Sequence, residues 1–213
     1  MRESWLSDRA SRPDPTDNDG LIEGNSMTLK PLSLILVFTL SAPVLAVNPQ
    51  RVQSLNDQAL SLHSEGNYQQ AEDHYRQLLP LLEEHFGVGS IEEAKIRASI
   101  ADTQLARQQY DEAEQTYRQV LALLERHHDT LLEADALNGL ASALYLRRRY
   151  GQAEPLYLQA NTLLKAEPSA PLEQRLLVLD NLAALYQTLG RGHQARQYQD
   201  QARRLRRNTA TRP

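Results

Sequence analysis

Residues 137–160 read LNGLASALYLRRRYGQAEPLYLQA, and variants of this stretch recur along the chain. Its small residues Ala141 and Ala153 lie twelve positions apart, on either side of a polar turn. Two antiparallel helices can therefore cross closely at the alanines, while larger residues such as Leu144 and Tyr157 fill the space beside them. Because one helical hairpin cannot bury its apolar face alone, the stretch predicts a stack of similar hairpins.

The pair of alanines occurs four times in the chain. The second alanine recurs at spacings of 42, 40 and 42, as Ala71, Ala113, Ala153 and Ala195. Twelve residues before each lies the opening alanine of its hairpin: Ala59, Ala101, Ala141 and Ala183. A tyrosine follows one helical turn after the second alanine in three copies, whereas the fourth copy has Tyr198 one residue early. The pattern predicts four helical repeats of about 41 residues.

Each repeat contributes two helices, so eight are expected. Ser90 with Glu93 forms a capping box sequence before the second hairpin, and Asp129 or Thr130 with Glu133 does the same before the third. The predicted helices span 50–65, 68–85, 91–108, 110–128, 131–148, 150–166, 172–189 and 192–207.

Two alanines twelve residues apart, followed by an aromatic residue four positions later, form a pattern that resembles the tetratricopeptide repeat (TPR) family. The resemblance covers nearly all of residues 50–207. The long period is similar to that of the kinesin-light-chain type, with about 42 residues per repeat. It implies an all-α, right-handed α-solenoid of four hairpins whose first helices line a concave groove for peptides or protein segments. It implies no catalysis.

In the kinesin-light-chain type an Asn-Asn pair precedes the opening Leu-Ala, and this chain retains only parts of it. Ala98 and Ser99 replace both asparagines in the second copy, and no cationic clamp for a C-terminal carboxylate is apparent. The positions beside each opening alanine are expected to project into the groove. They form a candidate peptide groove of amides, a carboxylate and apolar groups, which suits an extended peptide: Asn56, Leu60, Asp102, Asn138, Tyr145 and Asn181.

The N-terminal part of the chain has a different composition. Residues 1–26 are charged and without apolar periodicity, and we interpret them as a disordered extension upstream of the true start at Met27. Lys30, the uncharged run 31–46 and the ending Val-Leu-Ala predict a signal peptide over 27–46, with the mature TPR domain spanning 47–213. This favours a periplasmic or secreted protein. The alternative is a short membrane anchor, and only an uncleaved segment would place the protein at a membrane.

Charge is divided unequally between the two halves of the mature chain. Residues 47–140 carry 16 acidic and 7 basic residues, whereas residues 141–213 carry 5 acidic and 12 basic ones. The last helix contains a basic patch, Arg203, Arg204, Arg206 and Arg207. A basic end can attract anionic lipid or an acidic partner, but it is also the polar cap that a terminal repeat requires. Nucleic acid is not an expected partner of an exported protein.

The sequence contains no pattern that indicates catalysis. There is no cysteine, the six histidines are scattered, and no phosphate-binding glycine loop or nucleophile elbow occurs. No catalytic residue, metal site or cofactor is predicted. The favoured hypothesis is a non-catalytic protein- or peptide-binding scaffold of the bacterial cell envelope. The alternative is a membrane-tethered accessory subunit of an envelope enzyme or secretion complex, which uses the basic patch.

Overall fold

A computed structural model describes residues 48–210, with side chains through residue 207. The regular structure in this range is helical throughout. The helices are α1 (Pro49–Ser64), α2 (Tyr68–Phe86), α3 (Ile91–Ala106), α4 (Tyr110–Leu124), α5 (Thr130–Leu146), α6 (Tyr150–Ala166), α7 (Leu172–Thr188) and α8 (Gly192–Ala210). Each helix packs against the next, which confirms the all-α solenoid of four hairpins. The predicted extension 1–26 and signal peptide 27–46 lie outside the described residues.

The repeat register inferred from the alanines is confirmed by burial. All eight alanines of the pattern are at most 4% exposed, and the tyrosines Tyr75, Tyr117 and Tyr157 are at most 2% exposed. Small residues therefore occupy the helix crossings, and a buried ring fills the space one turn further on. In the fourth repeat the displaced Tyr198 is half-buried and stacks on Tyr186, with ring centroids 5.5 Å apart.

The turn inside each hairpin has the same backbone conformation in all four repeats. A residue with positive φ ends the first helix, and it is Gly66, Gln108, Arg148 or Gly190. The N–H of the next residue then donates to a carbonyl five positions back, at 2.8–2.9 Å, as in a Schellman motif. This conformation ends α3 at Ala106 and α5 at Leu146, two residues earlier than predicted in both cases.

Helix α4 also ends earlier than predicted, at Leu124 rather than at residue 128. The residues that follow form a turn in which the His127 ring donates to the carbonyl of Gly89, with 2.6 Å between Nε2 and O. Asp129, rather than Thr130, caps α5 through the Leu132 N–H at 3.0 Å. These contacts tie the end of the second hairpin to the loop that precedes it.

Three glutamates form ion pairs across the repeat joints. By a repeat joint we mean the contact between one hairpin and the next. Each follows the second alanine of its hairpin, and we call Glu72, Glu114 and Glu154 the joint glutamates. Each pairs with an arginine of the following hairpin's turn. Glu72 pairs with Arg107, Glu114 with Arg147 and Arg149, and Glu154 with Arg191.

The first two joint glutamates are almost fully buried but stay charged. Burial raises the pKa of Glu72, but hydrogen bonds from Arg76, Gln104 and Arg107 outweigh it, so the pKa lies below its ordinary value. The same balance, with Arg118 and the arginines of the next turn, lowers the pKa of Glu114. Removing one partner from such a pair would leave a poorly solvated charge, so the pairs fix the alignment of each joint.

The apolar interior is divided into two clusters along the stack. The first repeat supplies most of one cluster, including Val52, Tyr75 and Leu82, to which α3 adds Ile96 and Ile100. The other cluster runs continuously from α3 to α8 and contains the remaining crossing alanines, apart from Ala183. Helix α3 therefore packs one face into each cluster. Within residues 48–210, no helix is both long and apolar enough to cross a bilayer.

Candidate peptide-binding groove

The first helices of the hairpins form one continuous side of the stack, which we call the inner layer (α1, α3, α5 and α7). Helix α5 contacts both α3 and α7, whereas the second helices make no comparable contacts with one another over residues 48–210. Side chains also join the inner helices directly. His63 Nδ1 lies 3.1 Å from Thr103 Oγ1, and the hydroxyls of Tyr145 and Thr188 lie 2.8 Å apart. The stack therefore curves with the inner layer on its concave side.

On the central inner helices, the most exposed residues lie near the C-terminal ends. The exposed residues are Asp102 and Ala106 on α3 and Leu146 on α5. These residues lie one and five positions after the opening alanine, on one face of each helix. The same positions in all four repeats define the groove strip: Leu60, Ser64, Asp102, Ala106, Ser142, Leu146, Ala184 and Thr188. Two of the predicted groove residues, Leu60 and Asp102, belong to the strip.

The predicted asparagines lie deeper than the groove strip. Asn138 is 8% exposed and Asn181 is half-buried, and the amide of Asn181 donates to Asn138 Oδ1 at 2.9 Å. The two residues therefore join α5 to α7. The Asn138 Nδ2 and Asn181 Oδ1 atoms have no further partner among the described residues, which leaves one donor and one acceptor beside the strip. Asn56 is half-buried in α1.

Asp102 has a role in the hairpin as well as a position in the strip. It is exposed, yet its carboxylate accepts a hydrogen bond from the buried Tyr117 hydroxyl at 2.6 Å. Burial, together with the Asp102 charge, raises the pKa of Tyr117 well above its ordinary value. The hydroxyls of Ser142 and Tyr157 lie 3.0 Å apart, and burial raises the pKa of Tyr157 to about 12. Both phenols therefore remain protonated, and the sequence pattern had not indicated this coupling.

Two leucines of the strip expose apolar side chains, one in the first repeat and one in the third. Leu60 is 37% exposed and Leu146 is 47% exposed. Tyr145, which was predicted to line the groove, is half-buried and packs against Tyr150 with ring centroids 5.3 Å apart. Leu146 is the more exposed of these two neighbours, and Tyr145 reaches the strip through its hydroxyl, which lies 2.8 Å from that of Thr188. The positive φ of Arg148 ends α5 just after Leu146, so this leucine lies in the last turn of its helix.

The four arginines of the basic patch are all exposed on α8. Arg203 pairs with Asp200 on the same helix, and Arg206 pairs with Asp180 of α7 at 2.6 Å. Arg204 lies at a cavity of about 230 Å³ between α6, α7 and α8. The patch is therefore partly neutralised by carboxylates of its own repeat. Over the described residues, no cluster of three or more His, Asp or Glu side chains is placed to hold a metal ion.

The repeated hairpins, their alanine crossings and their inner layer define an α-helical repeat protein. A family model for the tetratricopeptide repeat matches residues 50–126, and a second model of the same description matches residues 175–210. The chain belongs to the tetratricopeptide repeat family. The matched ranges cover the first two hairpins and most of the fourth, while the third lies between them.

Solved structures are similar to this chain at low sequence identity. BtubC (BKLC) from P. vanneervenii has a TM-score of 0.67 and 19% identity, over 76% of this chain and 65% of its own. Aspartyl phosphate phosphatase F from Bacillus subtilis has a TM-score of 0.69 and 15% identity, over 78% and 42%. A putative kinesin light chain with TPR-like repeats from Podosopora anserina has a TM-score of 0.48 and 18% identity, over 78% and 99%.

The chain spans less than two thirds of the length of BtubC and of the phosphatase. At these identities, the shared property is the fold. No curated protein matches the chain in sequence.

Proposed function

We propose that the protein is a non-catalytic scaffold of the bacterial cell envelope that binds an extended peptide segment of a protein partner along the groove strip. The observation that carries this proposal is the strip itself. It is narrow, it crosses the inner layer from repeat to repeat, and it presents separated apolar and polar groups rather than one flat apolar patch. A TPR fold generally mediates protein–protein interaction, which supports the same conclusion.

The chemistry of the strip fits an extended chain. Leu60 and Leu146 can each contact an apolar side chain of the peptide, and Asp102 can accept from its main-chain N–H groups. The remaining amide donor of Asn138 and acceptor of Asn181 match a peptide C=O and N–H. An extended peptide offers both kinds of group at regular intervals, whereas the surface of a folded partner does so less often.

The contribution of the apolar groups can be tested with a phage-displayed library of linear peptides, selected on the purified protein. For a selected peptide, replacing Leu60 and Leu146 together with serine should weaken binding by tenfold or more, because fully burying one leucine contributes about 1.5–3 kcal/mol. Calorimetric titration measures the change. Val88→Ser is the matched control, since Val88 is 84% exposed but lies outside the strip. Equal affinity of the double variant and the parent would contradict the proposed site.

A second pair of substitutions tests the main-chain contacts. Asn138→Ala combined with Asn181→Ala should weaken binding of the same peptide by roughly 1–3 kcal/mol, the range for hydrogen bonds left unmade. Because the two amides also join α5 to α7, urea unfolding is measured in parallel. The control is Gln115→Ala with Gln159→Ala, two exposed amides on the second helices. If affinity survives both groove variants but is lost when the basic patch is neutralised, the binding site is the basic end.

The envelope location is proposed from residues 27–47 of the sequence. When the full chain is expressed in a bacterial host, the mature protein should begin near Val47, because a small-residue cleavage pattern follows the uncharged run. Intact-mass spectrometry of the protein from periplasmic and membrane fractions measures this. A protein that retains residues 27–46 and fractionates with membranes would instead support the anchored alternative.

The alternative function, an accessory subunit at the membrane, has one observation in its favour. Arg203, Arg204, Arg206 and Arg207 are exposed on the terminal helix α8, where an anionic surface could meet them. Flotation with vesicles that contain phosphatidylglycerol would measure such binding. Loss of flotation on replacing the four arginines with glutamine, with peptide binding unchanged, would favour this function over the groove.

A further inference from the structure

The joint glutamates occupy one position in the repeat, and their arginines occupy two: Arg149 and Arg191 lie eight residues after the opening alanine of their hairpin. The glutamate follows the second alanine directly, and Arg107 and Arg147 lie six residues after the opening alanine of the next hairpin. Each pair therefore connects the C-terminal side of one repeat to the N-terminal side of the next. In the last repeat the glutamate position has no following hairpin within the described chain. In the first repeat the arginine position has no preceding hairpin there.

At both ends the charge at this position is reversed. In the last repeat, the position of the joint glutamate is occupied by Arg196. In the first repeat, the position of Arg107 and Arg147 is occupied by Glu65. A polar cap accounts for the solubility of a repeat end, but it does not require that both charges change sign. The two reversed residues are complementary to each other.

The reversed residues are available for contact. Arg196 and Glu65 are both exposed, whereas the side chain of the joint glutamate Glu72 is only 5% exposed. Glu65 accepts hydrogen bonds from Ser61 at 2.8 Å and from Asn67 at 3.1 Å, both neutral groups. Arg196 forms no ion pair with any residue in the described part of the chain. Neither charge is neutralised within its own repeat.

The residues around these two positions can be compared with those that join α5 to α7 inside the stack. Asp135 and Asn138 of α5 each accept a hydrogen bond from α7, and the equivalent positions in α7 are the exposed Leu177 and Asp180. Asp180 already pairs with Arg206. On α1 the position equivalent to Asn181 is the exposed Asp57. If the first repeat of a second copy stacked on the fourth repeat as α7 stacks on α5, Asp57 would face Asp180 and Arg206. An arginine between two carboxylates is a favourable arrangement, and the exposed Leu177 adds an apolar group to the same surface.

The charge of the whole chain has the same orientation as the two ends. Residues 47–140 are strongly acidic in balance and residues 141–213 are basic. A molecule with this separation of charge is attracted to another copy in the orientation that brings the last repeat of one to the first repeat of the other. The long-range field and the two local positions therefore favour one relative orientation.

We propose that the protein associates head to tail, with the fourth repeat of one copy stacking on the first repeat of another and Arg196 pairing with Glu65 across the new joint. The joint repeats the internal one with its charges exchanged. Because the two surfaces differ, the contact is heterologous and extends to chains of copies rather than closing at a dimer. The proposal is independent of peptide binding in the groove.

The full chain, expressed with its own N terminus and purified as the host processes it, is studied by sedimentation velocity. Association should increase with concentration in about 10 mM salt and disappear in about 1 M salt, since the Debye length falls roughly tenfold between them. Arg196→Glu and Glu65→Arg should each weaken association at least tenfold. The combination of both should restore it, because the pair re-forms with the polarity of the internal joints.

The controls are Arg126→Glu and Glu112→Arg, which change the net charge equally at exposed positions of the second repeat, away from the two ends. Both should associate like the parent. Thermal melts establish that every variant is folded. A chain that stays monomeric at low salt, an Arg126→Glu variant as impaired as Arg196→Glu, or a double variant without recovery would each overturn the proposal.

Discussion

Replacing Ala141 with leucine should lower the free energy of unfolding by about 3 kcal/mol, the upper part of the range for overpacked cores. Ala141 on α5 and Ala153 on α6 are both 0% exposed, and these helices pack closely along their length. An isobutyl group at this crossing must push the two helices apart. The movement would reach the joint with α7, because α5 and α6 both contact that helix.

Urea unfolding followed by far-UV circular dichroism measures this effect. The matched control is Ala122→Leu, since Ala122 lies inside α4 but is exposed. That variant should unfold within about 0.5 kcal/mol of the parent, as most surface substitutions do. If the Ala141 variant and the parent unfold at the same urea concentration, the alanines do not mark the helix crossings.

Replacing Gly139 with alanine should also destabilise the protein, although helix propensity alone favours alanine by about 1 kcal/mol. A Cβ atom at this position would lie 2.2 Å from Cζ of Tyr117 and 2.5 Å from its hydroxyl oxygen. The ring cannot move away easily, because Tyr117 is 1% exposed and bonded to Asp102. We expect a net loss of about 1–3 kcal/mol.

Gly151→Ala is the control for this substitution. Gly151 lies in the first turn of α6, and a Cβ there would have no atom within 4 Å. That variant should be as stable as the parent or slightly more stable. The loss at Gly139 should shrink in a Tyr117→Leu background, which measures the coupling between the two positions. Equal stability of the Gly139 and Gly151 variants would show that the Tyr117 ring can shift to a position that accommodates the added methyl group.

The positions of the helix crossings could be predicted, because a close crossing requires a small residue and the space beside it requires a large one. A helix crossing needs a small residue whatever its neighbours are, so Ala59 through Ala195 follow from spacing alone. The early ends of α3 and α5 could not be predicted in the same way. Gln108 and Arg148 adopt the positive φ that glycine favours, and nothing in their side chains indicates this.

The candidate site was predicted less completely than the fold. The face of a first helix that carries Asn138 is covered by α7, so this amide joins two helices and the accessible strip lies nearer the helix C-termini. Which polar residue of an inner helix meets solvent depends on how closely the next hairpin packs, and that depends on residues distant in sequence. The small Gly139, which admits the Tyr117 ring, shows the same dependence.

Because the apolar interior is divided into two clusters, we expect the hairpins at the two ends of the stack to differ in their free energies of local unfolding. Among the described residues, α3 adds two buried apolar side chains, Ile96 and Ile100, to the cluster of the first repeat, whereas α3 to α8 form one uninterrupted cluster. In a linear array each unit is stabilised only by its neighbours. We therefore expect helices α1 and α2 to open as one unit while the cluster of α3 to α8 stays packed, so that their amide hydrogens would exchange with solvent together.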